Sequence, residues 1–179
     1  KIPRWDLNKF YGVSHEIGSS MKSVGEVMSI GLTFEEAIQK GLRMIGQGMH
    51  GFVGNSEITF DNVEESLSNP TDLRIFAIAD AFEKGYSVEQ IVELTRIDPW
   101  FIGKLERIFK YSRFLSGFDR IEDLPADVLK EAKLKGFSDF QIARLVENPE
   151  GSIESEQIRV RNHRKSLGIT PFARRINTV

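Results

Sequence analysis

Three places in the chain repeat one short pattern: a hydroxyl residue, two intervening positions and a Glu or Gln, just ahead of an apolar run. They are Thr33 with Glu36, Ser87 with Gln90, and Ser138 with Gln141. The hydroxyl accepts a hydrogen bond from a backbone N–H of the helical first turn that has no intrahelical partner, and the residue three positions on reaches back to do the same for the cap. Each pair therefore fixes the start of a helix, and three of them commit most of the chain to an α architecture.

The apolar stripes agree. Phe34, Ala37, Ile38, Leu42 and Ile45 share one face of the first helix, with Gly46 as its stop. Leu73, Ile75, Phe76, Ile78, Ala79 and Phe82 predict a strongly apolar helix of roughly four turns ended by Gly85. Ser87 leads Val88, Ile91, Val92 and Leu94; Asp98–Pro99 then caps a helix carrying Trp100, Phe101, Leu105, Ile108, Phe109 and Leu115. Pro125 starts another, with Val128, Leu129, Ala132 and Leu134, ended by Gly136. Ser138 opens a helix through Phe140, Ile142, Leu145 and Val146 to Asn148–Pro149, and Ser155 is expected to cap the last one, closed by Gly168. Thr170–Pro171 returns the chain to an extended path. The fold class is mainly α: a bundle of about six to eight helices, its core at about 70–168.

Other stretches lack the helical period. Residues 1–32 are punctuated by Pro3, Gly12, Gly18, Gly25 and Gly31, and Met21-Lys22-Ser23-Val24-Gly25-Glu26-Val27-Met28 reads as an irregular or short-strand run laid over a surface. So long a segment without a period is unusual in a compact domain, and residues 1–32 are expected to dock on the bundle or on a neighbouring chain. Residues 46–60 predict a flexible connector with a short extended piece at 58–60, and a short helix is expected around 61–67. The chain opens on Lys1 and ends on Phe172–Val179 without a cap, which reads as an excised piece of a longer chain. A helix stop, an aromatic, a serine cap and a glutamine also recur at matching offsets in 85–94 and 136–145, implying two similar helical hairpins.

Composition narrows function mainly by exclusion. A formal charge of −2 gives no global field for nucleic acid or membrane, no run approaches about 18 apolar residues, and the absence of cysteine fits a reducing, cytoplasmic setting. His15, His50 and His163 have no ligand spacing, and Ser14, Ser19, Ser20 and Ser23 have no nucleophile elbow. Gly46–Gly51 follows a helix and lacks the lysine of a phosphate loop. Asp119, Glu122, Asp123 and Asp127 read as a solvated loop and helix start. No catalytic, cofactor-binding or metal-ligating residue is assigned. The helical hairpins leave one rival, a helix-turn-helix nucleic-acid module, favoured by Arg159, Arg161, Arg164, Lys165, Arg174 and Arg175 and opposed by Glu147, Glu150, Glu154 and Glu156 upstream.

Lys1–Trp5, Met21–Met28, Thr33–Ala37 with Gln39–Lys40, Thr71–Asp72 with Arg74–Ile75, Leu94–Phe101, Lys135–Asp139 with Gln141–Ala143, and Arg175–Thr178 together resemble, in order, the carbamoyl-phosphate synthase large chain. The match falls where its first ATP-grasp unit runs out into the helical oligomerisation domain. The resemblance implies residues 1–32 as the tail of that unit and 33–179 as the oligomerisation domain. It implies a parent that makes carbamoyl phosphate from bicarbonate, glutamine-derived ammonia and ATP, with Mg²⁺ and K⁺, for arginine or pyrimidine synthesis. The implied partners are both ATP-grasp halves, a glutaminase small subunit and further copies of the chain, with neither nucleic acid nor membrane. No catalytic residue carries over, so the piece alone is expected to be inactive. Met21, Lys22, Ser23, Gly25, Glu26, Met28, Trp100 and Phe101 are the expected packing and interdomain motif. Leu32 stands where the family commonly has arginine, Asn177 where it has aspartate, and the loop at 46–69 looks variable.

Overall fold

A computed structural model describes residues 1–45, 48–55, 58–146 and 152–173. Gly46, Asn148–Pro149, Glu147, Glu150, Arg174, Arg175 and Asn177, each given a role from sequence, lie outside the described residues.

Among those described, eight α-helices and one two-stranded sheet make up the fold. Strand β1 (Ile2–Arg4) pairs antiparallel with β2 (Gly25–Val27), Ile2 opposite Val27, and a 3₁₀ turn at Leu7–Lys9 follows β1. The helices are α1 (Phe34–Met44), α2 (Val63–Ser68), α3 (Arg74–Glu83), α4 (Val88–Thr95), α5 (Pro99–Leu115), α6 (Ala126–Leu134), α7 (Asp139–Leu145) and α8 (Ile153–Ser166).

The caps act as their chemistry requires. Thr33, Ser87 and Ser138 accept from the N–H three residues on, and the glutamines complete full capping boxes on α4 and α7. In α1 the Glu36 carboxylate instead takes the N–H of Leu32 (2.7 Å), one residue before the reciprocal position. Asp98 accepts from Trp100 N–H at 2.8 Å, ahead of a proline with no N–H to lose. Gly85 and Gly136 both stand at φ +85° and end α3 and α6 in the same way. The glycine N–H returns to Phe82 or Lys133, and the aromatic after it to Ala81 or Ala132. The recurring pattern in the sequence is thus a recurring hairpin: α3–α4 and α6–α7 have the same turn.

Several expectations are corrected. Helix α3 has ten residues, short of four turns, because Leu73 is its N-cap and Lys84 its C-cap. Helix α8 is capped by Ser152, and the N–H of Ser155 donates to Ser152 Oγ, so Ser155 is the capped residue. Residues 58–60 join no strand. The 48–55 part of the connector is anchored: Phe52 and Val53 are buried, and Asn55 takes the N–H of His50 and donates to Gly51 O. The core draws on a longer stretch than 70–168, since Leu42, Ile45, Phe52, Val53, Val63 and Leu67 are buried in it. Helix α4 packs on α5, α2 on α3, α7 on α8, and α1 on α5.

Candidate functional site

Helix α1 is the platform from which the exposed features are built. Its inner face is held by a buried polar knot. Gln39, fully buried, donates to Lys135 O (3.2 Å), and its Oε1 accepts from Gln141 Nε2 (2.9 Å) and from Phe52 N–H (3.3 Å). Arg43 closes the knot, donating to Gly136 O (2.7 Å) and Gln141 Oε1 (3.1 Å), and burial lowers its pKa. Every member has a partner, so the knot fixes α1 against the α6–α7 turn without leaving a desolvated group behind.

The other side of α1 carries the N-terminal segment as a strap. A Cβ on Gly41 would come within 2.5 Å of Ile2 Cδ1, so the strap lies directly on the helix there. Ser29 Oγ donates to Ala37 O (2.7 Å) and Lys40 Nζ to Ile30 O (3.1 Å). Lys22 holds the middle of the segment with bonds to Ser14 O (2.9 Å) and Glu16 O (2.6 Å); Glu16 bridges Thr71, and His15 meets the buried Asp72 at 3.2 Å. A three-residue strand pair is marginal alone, and these anchors supply what it lacks. Ile2 and Val27 face the core while Met21, Val24, Gly25, Glu26 and Met28 face out, Glu26 pairing with Lys1. Ser23 is half-buried. Gly31 makes a close approach, since a Cβ there would meet Ala37 N at 2.7 Å, whereas Gly25 has open space around it.

Met28, Ile30 and Leu32 are exposed at alternate positions ahead of Phe34, whose ring meets Trp100 edge-on (5.6 Å) and Phe101 (5.4 Å). Leu32 is 67 % and Trp100 54 % exposed, for large apolar side chains that a closed domain would cover. Lys104 lies over the Trp100 ring at 5.1 Å. Glu35 is 4 % exposed; its Oε1 lies 3.5 Å from Lys104 and 3.7 Å from Arg107, and its Oε2 has no hydrogen-bond partner. Sequence patterning missed Glu35 because an acid in a helical first turn is ordinarily a solvated residue.

The remaining candidates are placed as follows. The His50 ring lies tilted against Phe140 and His163 Nε2 lies 2.9 Å from Leu124 O; among the described residues no three His, Cys, Asp or Glu side chains cluster in a way that could hold a metal. Glu122 is no plain solvated residue: Arg159 forks onto it at 2.7 and 2.8 Å, and that cation holds its carboxyl below the usual range. Arg159 also binds Glu156, and Arg164 is buried against both oxygens of Asp139 at 3.0 Å. Two cations of the basic stretch are thereby spent on internal carboxylates, which removes them from any phosphate-binding face. No described helix is long and apolar enough to cross a membrane.

The family model for the carbamoyl-phosphate synthetase large chain, oligomerisation domain, matches residues 26–168. The multifunctional protein URA2 of Saccharomyces cerevisiae is 50% identical over the whole of this chain, which covers 8% of that protein. The multifunctional protein CAD of Squalus acanthias is 45% identical, again over the whole chain and 8% of the relative. The mitochondrial arginine-specific carbamoyl phosphate synthase large chain of Schizosaccharomyces pombe is 43% identical over the whole chain and 15% of its own length. The chain thus spans a small part of each relative. With a family model over residues 26–168 and relatives this similar along its full length, the chain belongs to the carbamoyl-phosphate synthetase large chain family and carries its oligomerisation domain.

Proposed function

We propose that the chain joins and associates the catalytic parts of a carbamoyl-phosphate synthase, whose whole protein makes carbamoyl phosphate from bicarbonate, glutamine-derived ammonia and ATP with Mg²⁺ and K⁺. Residues 1–32 are the tail of an ATP-grasp unit, and 33–179 are the helical domain that follows it. Its partners are the two ATP-grasp halves, a glutaminase subunit or domain, and further copies of the large chain; the nucleotide, metals and bicarbonate are held outside these residues. The observation that carries this reading is the set of exposed apolar side chains from Met28, Ile30 and Leu32 to Trp100 and Phe101, beside α1 and left exposed among the described residues. This band and the outward residues of Met21–Met28 are the faces that the ATP-grasp units cover.

The test replaces Trp100 and Phe101 by serine in a full-length synthase and in the 179-residue chain. The proposal expects carbamoyl phosphate synthesis to fall by about tenfold or more while the melting temperature of the chain moves by only a few degrees, because half-exposed rings contribute little to the fold. Undiminished synthesis with unaltered association would refute it.

A further inference from the structure

Glu35 is buried with its charge incompletely answered. Its side chain is 6 % exposed, and Oε2 makes no hydrogen bond among the described residues. Two cations of α5 approach Oε1, Lys104 Nζ at 3.5 Å and Arg107 Nη1 at 3.7 Å, both outside the reach of about 2.7–2.9 Å typical of a charge-assisted bond. Other acids of the fold show the completed arrangement. Glu156, equally buried, accepts from Arg159 on its two oxygens at 3.1 and 3.0 Å. Asp139 accepts from Lys133 at 2.8 Å and from Arg164 on both oxygens at 3.0 Å. The difference lies in the cations. Arg107 is 63 % exposed, so water competes for its guanidinium, and Lys104 is divided between Glu35 and the face of Trp100, 5.1 Å away. Trp100, Lys104 and Arg107 stand at i, i+4 and i+7 on one side of α5. A surface laid over Trp100 therefore lies over both cations.

We infer that Glu35, Lys104 and Arg107 form an open clamp that closes when the face around Trp100 is covered, with Arg107 moving in by about 1 Å to bond the carboxylate. The inference rests on the reading of that face as one the ATP-grasp units cover, and it adds what the covering does to the fold. A docked surface takes water from Arg107. The attraction of the pair rises as the local dielectric falls, and a planar guanidinium can satisfy both carboxylate oxygens, Oε2 included. Glu35 stands in the first turn of α1, the helix that also bonds the strap through Ala37 O and Lys40. Closing the clamp ties α5 to α1, so that docking on α5 is coupled to the helix on which the strap rests. In the free chain the same carboxylate is a liability, because loose pairs do not offset its desolvation.

The test is a cycle of Glu35→Gln, Arg107→Gln and the two together, in the 179-residue chain by thermal melting and in a full-length synthase by carbamoyl phosphate synthesis. In the chain the clamp is open. Glu35→Gln should leave the melting temperature in place or raise it, Arg107→Gln should move it by no more than about two degrees, and the double variant should show the sum. In the full-length protein each single substitution should lower synthesis about fivefold or more, the double no further than either single, and Arg107→Lys, which keeps the charge without the fork, by an intermediate factor. Arg107 is mostly exposed, so its variants decide the matter if circular dichroism shows that Glu35→Gln loses helix. Strong, non-additive destabilisation of the chain would mean a clamp already shut and would overturn the inference. So would undiminished synthesis in the Arg107 variants, or losses that multiply in the double variant. The serine variants at Trp100 and Phe101 test the wider proposal separately: if they lower synthesis while Arg107→Gln does not, the face is covered and the clamp alone is wrong.

Discussion

The two hairpin turns, 85–87 and 136–138, have the same local chemistry and opposite surroundings. Both have a glycine at φ +85°, an aromatic, a serine cap and a reciprocating glutamine. Gly85 has open space, Tyr86 is half-buried with its hydroxyl on Glu64 at 3.2 Å, and Gln90 is exposed. At the second turn a Cβ on Gly136 would come within 2.9 Å of Glu36 Cα, Phe137 is 1% exposed, and Gln141 is tied into the knot beneath α1. Local grammar fixes the hairpin in both places. Only tertiary contact decides that one turn is a surface corner and the other a keystone between α1 and the α6–α8 region.

The largest contrast is expected at the aromatic. Phe137→Ala should cost about 3–5 kcal/mol and Tyr86→Ala about 1 kcal/mol, read by urea denaturation. Equal losses would erase the distinction between the turns.

Next comes Asp139, the first residue of α7, which has no acidic counterpart in α4, where Val88 stands. Burial works against its carboxylate, but Lys133 (2.8 Å) and Arg164 (3.0 Å) outweigh that and set its pKa below the ordinary value. A lowered folded pKa means stability that is present above the unfolded pKa and is lost as pH falls through the folded one. Asp139→Asn should therefore cost about 3 kcal/mol at pH 7, and the gap to wild type should narrow below about pH 4 as the wild-type carboxyl takes up its proton. A gap that stays constant down to pH 2 would remove Asp139 from the account.

A smaller contrast lies at the glycines. Alanine at Gly85 meets only the left-handed backbone, about 1 kcal/mol, whereas at Gly136 the clash with α1 adds about 1–3 kcal/mol more. Thermal melts of the two variants should separate by several degrees, and coincident melts would mean that α1 yields freely at that turn.

Most of this architecture is legible in the residues because caps, glycine stops and apolar stripes act over a few positions. The failures are equally physical. Two serines three apart both suit an N-cap, and the choice of Ser152 over Ser155 depends on where the chain leaves the preceding segment. Phe52 and Val53 sit among glycines, so their burial has no periodic signature. Gly25 and Gly31 look alike in sequence, yet only Gly31 is tight against α1. The expected motif divides as well: Trp100 and Phe101 share a patch with Phe34, while Lys22 turns inward to hold the strap's own carbonyls. Exposure of the band is a property of the assembled surface, which no local pattern reports.

The central claim is that this band is stable uncovered in the chain and covered in the whole protein. Amide hydrogen exchange, measured on the 179-residue chain and on a full-length large chain containing it, tests that directly. The account predicts added protection concentrated in residues 21–32 and the first turn of α5, with the α6–α7 turn unchanged because its partners are already within the chain. Equal exchange across 21–32 and 99–102 in the two proteins would contradict it.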